Sequence, residues 1–336
     1  MLPILLRGQE RPLTKIKYNR EGDLLFSASK DKLANVWYSH NGERIGTFDG
    51  HNGTIWDLDV DYHSKRLLTA SGDGCCFLWE VMTGKNLFKW DMVVPVLSVA
   101  WAMGDQQALI VTDSRMGRKS SIHIVKIAED STQQTADAEL IIAIPDDMSK
   151  VTIATWGDLN AFIVAGHENG TISIWDPVTG ALIESVTNHT GRVQDLQMSK
   201  DKTFFVTASK DNTAHIYDSA TRKHLKTFKT DRPVNSASPS PIRNHLVIGG
   251  GQDAMGVTTT SARQGKFEAR IFHLVFEEEI ARIKGHFGPI NTLAFHPEGR
   301  GFASGGEDGY IRLHHFDPSY FKFKYDGESL RNTDGR

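Results

Sequence analysis

The chain has 336 residues, 39% of them hydrophobic and 24% charged, which excludes a disordered or collagen-like polymer and allows a large core. Thirty-eight Lys and Arg against forty-one Asp and Glu give a net charge of −3, so there is no bulk positive field for binding nucleic acid or an anionic membrane by counterion release. The two cysteines, Cys75 and Cys76, are adjacent and cannot staple distant segments, which excludes a disulfide framework and leads us to expect a reducing, intracellular setting.

Taken in chain order, residues 2–6 form a short apolar run, too brief for a signal or membrane segment, that reads as a strand before Gly8-Gln9. From there an acidic or amide residue stands six positions before an aromatic, again and again. Asp31 leads to Trp37, Asp73 to Trp79, Asn169 to Trp175, Asp211 to Tyr217 and Asp308 to His314. With weaker copies at Val125 and Phe272, the markers fall at 37, 79, 125, 175, 217, 272 and 314, spaced 42, 46, 50, 42, 55 and 42. Each unit reads as four strands with Gly- and Asp-rich turns. In the second unit they span 54–60, 66–69, 76–79 and 87–90. Seven such units predict an all-β, seven-bladed WD-repeat β-propeller over residues 1–325, with a flexible tail over 326–336.

The irregular places come next. The third unit carries the basic turn Arg115-Met116-Gly117-Arg118-Lys119 and a polar stretch over 128–138, expected as a loop on the lower face, opposite the Gly-His loops. The fifth has the basic run 222–229, which reads as the exposed face of an outer strand more simply than as an RNA contact. The sixth is 55 residues long rather than 42, the extra lying between Gly251 and Phe267, in a turn on the upper face. Gly251 to Gly256 has phosphate-loop spacing, but Val257 stands where that loop needs Lys, and a glycine-rich strand exit accounts for it better. The seventh unit ends near Phe316 without a fourth strand of its own. Residues 2–6 are expected to supply it and close the ring, with the alternating run 320–325 as the rival.

The recurrent polar residues have a structural use. His51, Asp73, Trp79 and a strand hydroxyl, Ser71 or Thr69, can satisfy one another and pin turn to strand. His189, Ser209, Asp211 and Tyr217 form the equivalent set in the fifth unit, and His286 with Asp308 in the seventh. A hydrolase would need such a constellation once, whereas this one recurs with the repeat. His314 and His315 point to opposite faces of one strand and cannot chelate one ion together. Catalysis, metal and cofactor are therefore not expected, and Cys75-Cys76, alternating across a strand, does not suggest a redox pair.

Two long stretches carry a family likeness. One opens the chain: Pro3-Ile4-Leu5-Leu6-Arg7-Gly8, Tyr18-Asn19-Arg20-Glu21-Gly22-Asp23 and Val36-Trp37-Tyr38. The other includes Thr258-Thr259-Thr260-Ser261, Gly265-Lys266-Phe267-Glu268-Ala269-Arg270, Gly285-His286-Phe287-Gly288-Pro289-Ile290-Asn291 and Ser304-Gly305-Gly306-Glu307-Asp308-Gly309-Tyr310. Together they resemble the subunit i family of eukaryotic translation initiation factor 3, across essentially the whole chain. Gln9, where the family usually has His, and Gly256, where an acidic residue is expected, are departures. The resemblance implies a cytoplasmic, non-catalytic scaffold that binds the C-terminal segment of subunit b, associates with subunit g, and reaches the 40S ribosomal subunit through the complex. It implies no membrane and no direct sequence-specific nucleic-acid binding. A WD-repeat signalling adaptor is the alternative reading.

The expected partner surface is the upper rim of units five and six. There Lys210 and Asp211 in one turn face Asp231 and Arg232 in the following connection, charges of both signs that suit an amphipathic helix.

Overall fold

Short β-branched and aromatic runs between Gly, Asn and Asp turns favour strands of five or six residues. A computed structural model describes residues 3–115, 117–251 and 267–323. Twenty-eight strands lie within them, arranged as seven four-stranded antiparallel sheets. The first strands of successive blades neighbour one another around the ring, blade seven returning to blade one. In blade two the strands are Ile55–Val60, Arg66–Ser71, Cys75–Glu80 and Asn86–Asp91, each within two residues of its expected start and end.

The ring closes as the sequence predicts. Ile4–Leu6 pairs antiparallel with Ile311–His315, the third strand of blade seven, through Ile4↔Leu313, Leu5↔Arg312 and Leu6↔Ile311. Over residues 320–323, the described part of the rival run, no strand forms. Pro318–Lys322 is a short helix with Pro at its start, and Tyr320 stacks on Phe316 at 3.8 Å. The edge that run would have joined is already occupied. The tail over 326–336 and residues 252–266 of the blade-six insertion lie outside the described residues.

The core is divided. Seven apolar clusters each bridge two adjacent blades, and the cluster joining blade seven to blade one includes Leu6, Leu13, Leu25, Trp37, Ile311 and Leu313. Each fully buried Leu, Ile or Phe contributes roughly 1.5–3 kcal/mol, so blade-to-blade packing is the main cohesion of the ring. The fourth strands of blades five and six, His224–Lys229 and Glu279–Lys284, carry Lys, Arg and Glu on their outer faces, which protects those edges from pairing with other chains.

One irregularity recurs in every blade. The pairing of first and second strands slips after the opening residue, leaving one residue per blade unpaired, from Thr14 in blade one to Asn291 in blade seven. A bulge of this kind re-aims its side chain. Here all seven aim at the upper mouth of the central channel. Deeper in the channel, Lys15 reaches across the ring to Asp195 at 2.9 Å and lies 3.8 Å from Asp57. Burial alone would lower the Lys15 ammonium, but the two carboxylates outweigh it and raise it, so the charge persists. Upper and lower mouths are separate cavities of about 460 and 430 Å³.

Candidate functional site

The polar sets have one geometry with local variations. In blade two, His51 Nδ1 is 3.0 Å from Asp73 Oδ2, and His51 Nε2 is 2.7 Å from Thr69 Oγ1. The Trp79 indole N–H donates to the same Thr69 oxygen at 2.9 Å. The partners fix the proton positions: Nδ1–H donates to the carboxylate, and Nε2 accepts from the hydroxyl. Asp73 also accepts from the Asn52 and Cys75 amides, so one carboxylate ties the Gly-His loop to the next turn. Of the two hydroxyls the sequence leaves open, the bridge is Thr69. Ser71 instead accepts from the Asp73 amide inside the turn.

Blade five repeats this with Thr207. His189 Nδ1 lies 2.9 Å from Asp211 and Nε2 lies 2.8 Å from Thr207 Oγ1. Ser209 caps the turn, accepting from the Asp211 amide and donating to the Gly191 carbonyl. The Tyr217 hydroxyl lies apart from the bridge, 3.3 Å from His215 and Asn188. A phenol is longer than an indole N–H is deep, so it overshoots the position that Trp79 fills. In blade seven His286 joins Asp308 at 3.1 Å and Ser304 at 2.8 Å, and Arg312 donates to Asp308 at 2.9 Å.

Blade four holds a set that sequence reasoning missed. His167 lies at the end of the second strand, not in the Gly-His loop, and bonds Ser173 at 2.6 Å, where Trp175 also donates at 2.7 Å. The Ser173–Trp175 spacing was the available signal. In blade one the Gln9 amide donates to Ser27 at 3.2 Å, beside the Trp37 indole at 2.8 Å, while Gln9 Oε1 is buried without a partner. Gln9→His would supply a donor toward Asp31 as well as the Ser27 contact. It is expected to stabilise the fold by about 1 kcal/mol, visible as a higher melting temperature; an unchanged or lower one would show that blade one does not need the full set.

The bridging hydroxyls Thr69, Thr207 and Ser304 are fully buried and bonded to the imidazole. They have no access to a substrate, and the arrangement pins loops. The other near-motifs have ordinary surroundings. His314 stacks on Phe302 at 4.5 Å and bonds Ser304. Among the described residues, no group of three or more His, Cys, Asp or Glu could hold a metal. Cys75 and Cys76 are free and buried, and burial pushes the Cys76 thiol up, away from reactivity. Four of the basic residues in the blade-three turn and the blade-five run meet acids: Arg115 pairs with Asp113, Lys119 with Asp146, Arg222 with Glu184, and Lys226 with Glu277. No helix among the described residues is long and apolar enough to cross a membrane.

At the rim of blades five and six, the Thr230 amide and hydroxyl both bond the Asn212 carbonyl, setting the Lys210–Asp211–Asn212 turn beside the connection 230–233. Asp211 points inward, its two oxygens engaged by His189, the Thr190 amide and Thr213. Asp231 is different. Its side chain is 50% exposed and pairs with Arg270, which is only 10% exposed. Arg232 and Arg270 flank a small cleft floored by Gly249 and Gly250. The phosphate-loop-like stretch runs from this floor into residues outside the described set.

A closed ring of seven four-stranded blades, pinned by recurrent His–Asp–hydroxyl–Trp sets, defines a WD-repeat β-propeller. The EIF3I family model matches residues 1–326. Eukaryotic translation initiation factor 3 subunit I from Homo sapiens is 51% identical over 326 residues, covering 97% of this chain and 100% of that one. The proteins of the same name from Taeniopygia guttata and Bombyx mori are 51% and 52% identical over 326 residues, at 97% of this chain and 100% and 99% of theirs. The chain belongs to the family of eukaryotic translation initiation factor 3 subunit I.

Proposed function

We propose that this chain is a rigid, non-catalytic scaffold of the cytoplasmic initiation factor 3 complex. In this reading it binds the C-terminal segment of subunit b at the rim of blades five and six. It associates with subunit g and acts with the complex as mRNA is recruited to the 40S ribosomal subunit. The observation that carries the proposal is identity of about half the residues over the full length of proteins named as this subunit. The rim adds a half-exposed Asp231 held in place by a buried arginine, a fixed charge that a helical segment bearing an Arg anchor could meet at little ordering cost.

Titration calorimetry of the subunit b segment into wild type and Asp231→Lys tests the contact. Reversal is expected to weaken binding by about ten- to a hundredfold. It also breaks the pair with Arg270. Arg270 is buried but keeps Glu279 at 3.9 Å, so the fold should lose about 1–3 kcal/mol. Equal affinities in a variant that still unfolds cooperatively would remove Asp231 from the interface.

A further inference from the structure

We propose that the upper mouth of the central channel is a second binding site, which takes an acidic peptide segment with a carboxylate on Arg192 and a neighbouring apolar side chain on Trp56. The site is built by the fold itself. Seven bulges turn one side chain per blade toward this mouth, and Trp56 is the one aromatic among them. It is 40% exposed and lies against Gly72, where a Cβ would come within 3.0 Å of its indole nitrogen. An exposed tryptophan at the rim of a cavity of about 460 Å³ is a ready platform for an apolar residue.

Charge decides the rest. Lys15 is matched by Asp195 and Asp57, and Lys30 lies 3.2 Å from Glu307. Arg192, in the same wall, makes no ion pair among the described residues, and its Nε is buried without a hydrogen-bond acceptor. A half-buried guanidinium without a carboxylate is what an incoming acid would satisfy through the terminal nitrogens, the buried Nε lying out of a ligand's reach. The lining also includes three carboxylates, Asp57, Asp195 and Glu307, which would repel a run of phosphates and favour one or two acidic side chains over a nucleic-acid backbone. Trp56 lies on blade two, whereas the Arg192 carbonyl accepts from the Lys210 amide in the turn beside the rim connection, so Trp56→Ser is the variant that separates this site from the rim assignment.

The test selects a random dodecapeptide display library on the purified full-length chain, then measures synthetic winners by fluorescence anisotropy against wild type, Arg192→Glu, Trp56→Ser and Asp231→Lys. Winners should combine Asp or Glu with an aromatic or aliphatic residue. They should lose about tenfold or more in affinity on each of the first two variants and bind Asp231→Lys as wild type. Melting curves identify any variant that has lost its fold, and Arg192→Gln, which keeps the polar shape and removes the charge, then replaces Arg192→Glu. The proposal is overturned by an absence of winners, by winners without acidic residues, or by acidic winners indifferent to both mouth variants. It is also overturned if a labelled uridine dodecamer binds in an Arg192-dependent way while acidic peptides do not.

Discussion

Deleting residues 1–7 is expected to lower the melting temperature by on the order of 10 °C, or to leave a chain that aggregates. The deletion removes Ile4–Leu6, three paired positions on the outer edge of blade seven, and with them Leu6, which is 2% exposed in the cluster between blades seven and one. Burial of Leu6 and part of Ile4, with the lost ladder bonds, amounts to roughly 3–6 kcal/mol. Domains are stable by only about 5–15 kcal/mol, so that loss takes a large share. It also bares the edge of Ile311–His315 to other chains. The short helix Pro318–Lys322 cannot replace the strand, because Tyr320 is fixed by stacking on Phe316 and bonding His245 at 2.7 Å. Leu6→Ala separates packing from pairing: it should cost about 2–4 kcal/mol with the strand still in place. Differential scanning calorimetry of the three proteins decides the matter, and a truncated chain that melts with the parent would refute closure by this strand.

The second large effect belongs to the pinning carboxylates. Asp211→Ala and Asp308→Ala should each cost about 2–4 kcal/mol at neutral pH, because several buried donors lose their acceptor at once. Asp211 serves His189, the Thr190 amide and both donors of Thr213; Asp308 serves His286, Arg312 and the Phe287 amide. The effect has a pH signature. Burial alone would raise the Asp308 carboxyl, but the His286 hydrogen bond and the nearby charges hold it down to about 2. A carboxyl lower in the folded state than its unfolded value near 4 stabilises the fold above that value and ceases to as pH falls through the folded one. The gap between wild type and Asp308→Ala should therefore be constant above pH about 4 and narrow below it. Burial also lowers His215 and His314 to about 3, and these rings must gain protons on unfolding, so every variant should lose stability on acidification below about pH 6. Urea melts at several pH values check both statements. Loss of partner binding at full stability would instead place Asp211 in a contact surface.

The residues that repeat were legible from the chain alone. Strand alternation, Gly and Asp turns, and an aromatic marker every 42 residues or a little more come from local backbone and side-chain preferences, which act over a few residues. A fourth strand missing from blade seven and a spare one at the start were enough to predict closure. What the chain could not decide were choices between positions of equal parity. Thr69 and Ser71 lie on the same face of one strand, as do Thr207 and Ser209, and only the register against the third strand sets the earlier hydroxyl beside the indole or imidazole. The same limit hid His167, which reaches its serine from a strand end, and the Asp231–Arg270 pair, which joins residues 39 apart. The channel mouth is the extreme case. Trp56 and Arg192 belong to blades two and five, and Lys15 meets Asp195 from 180 residues away. No local pattern encodes such neighbours; they meet because seven wedge-shaped blades pack into a closed ring and their bulged first strands converge on its axis.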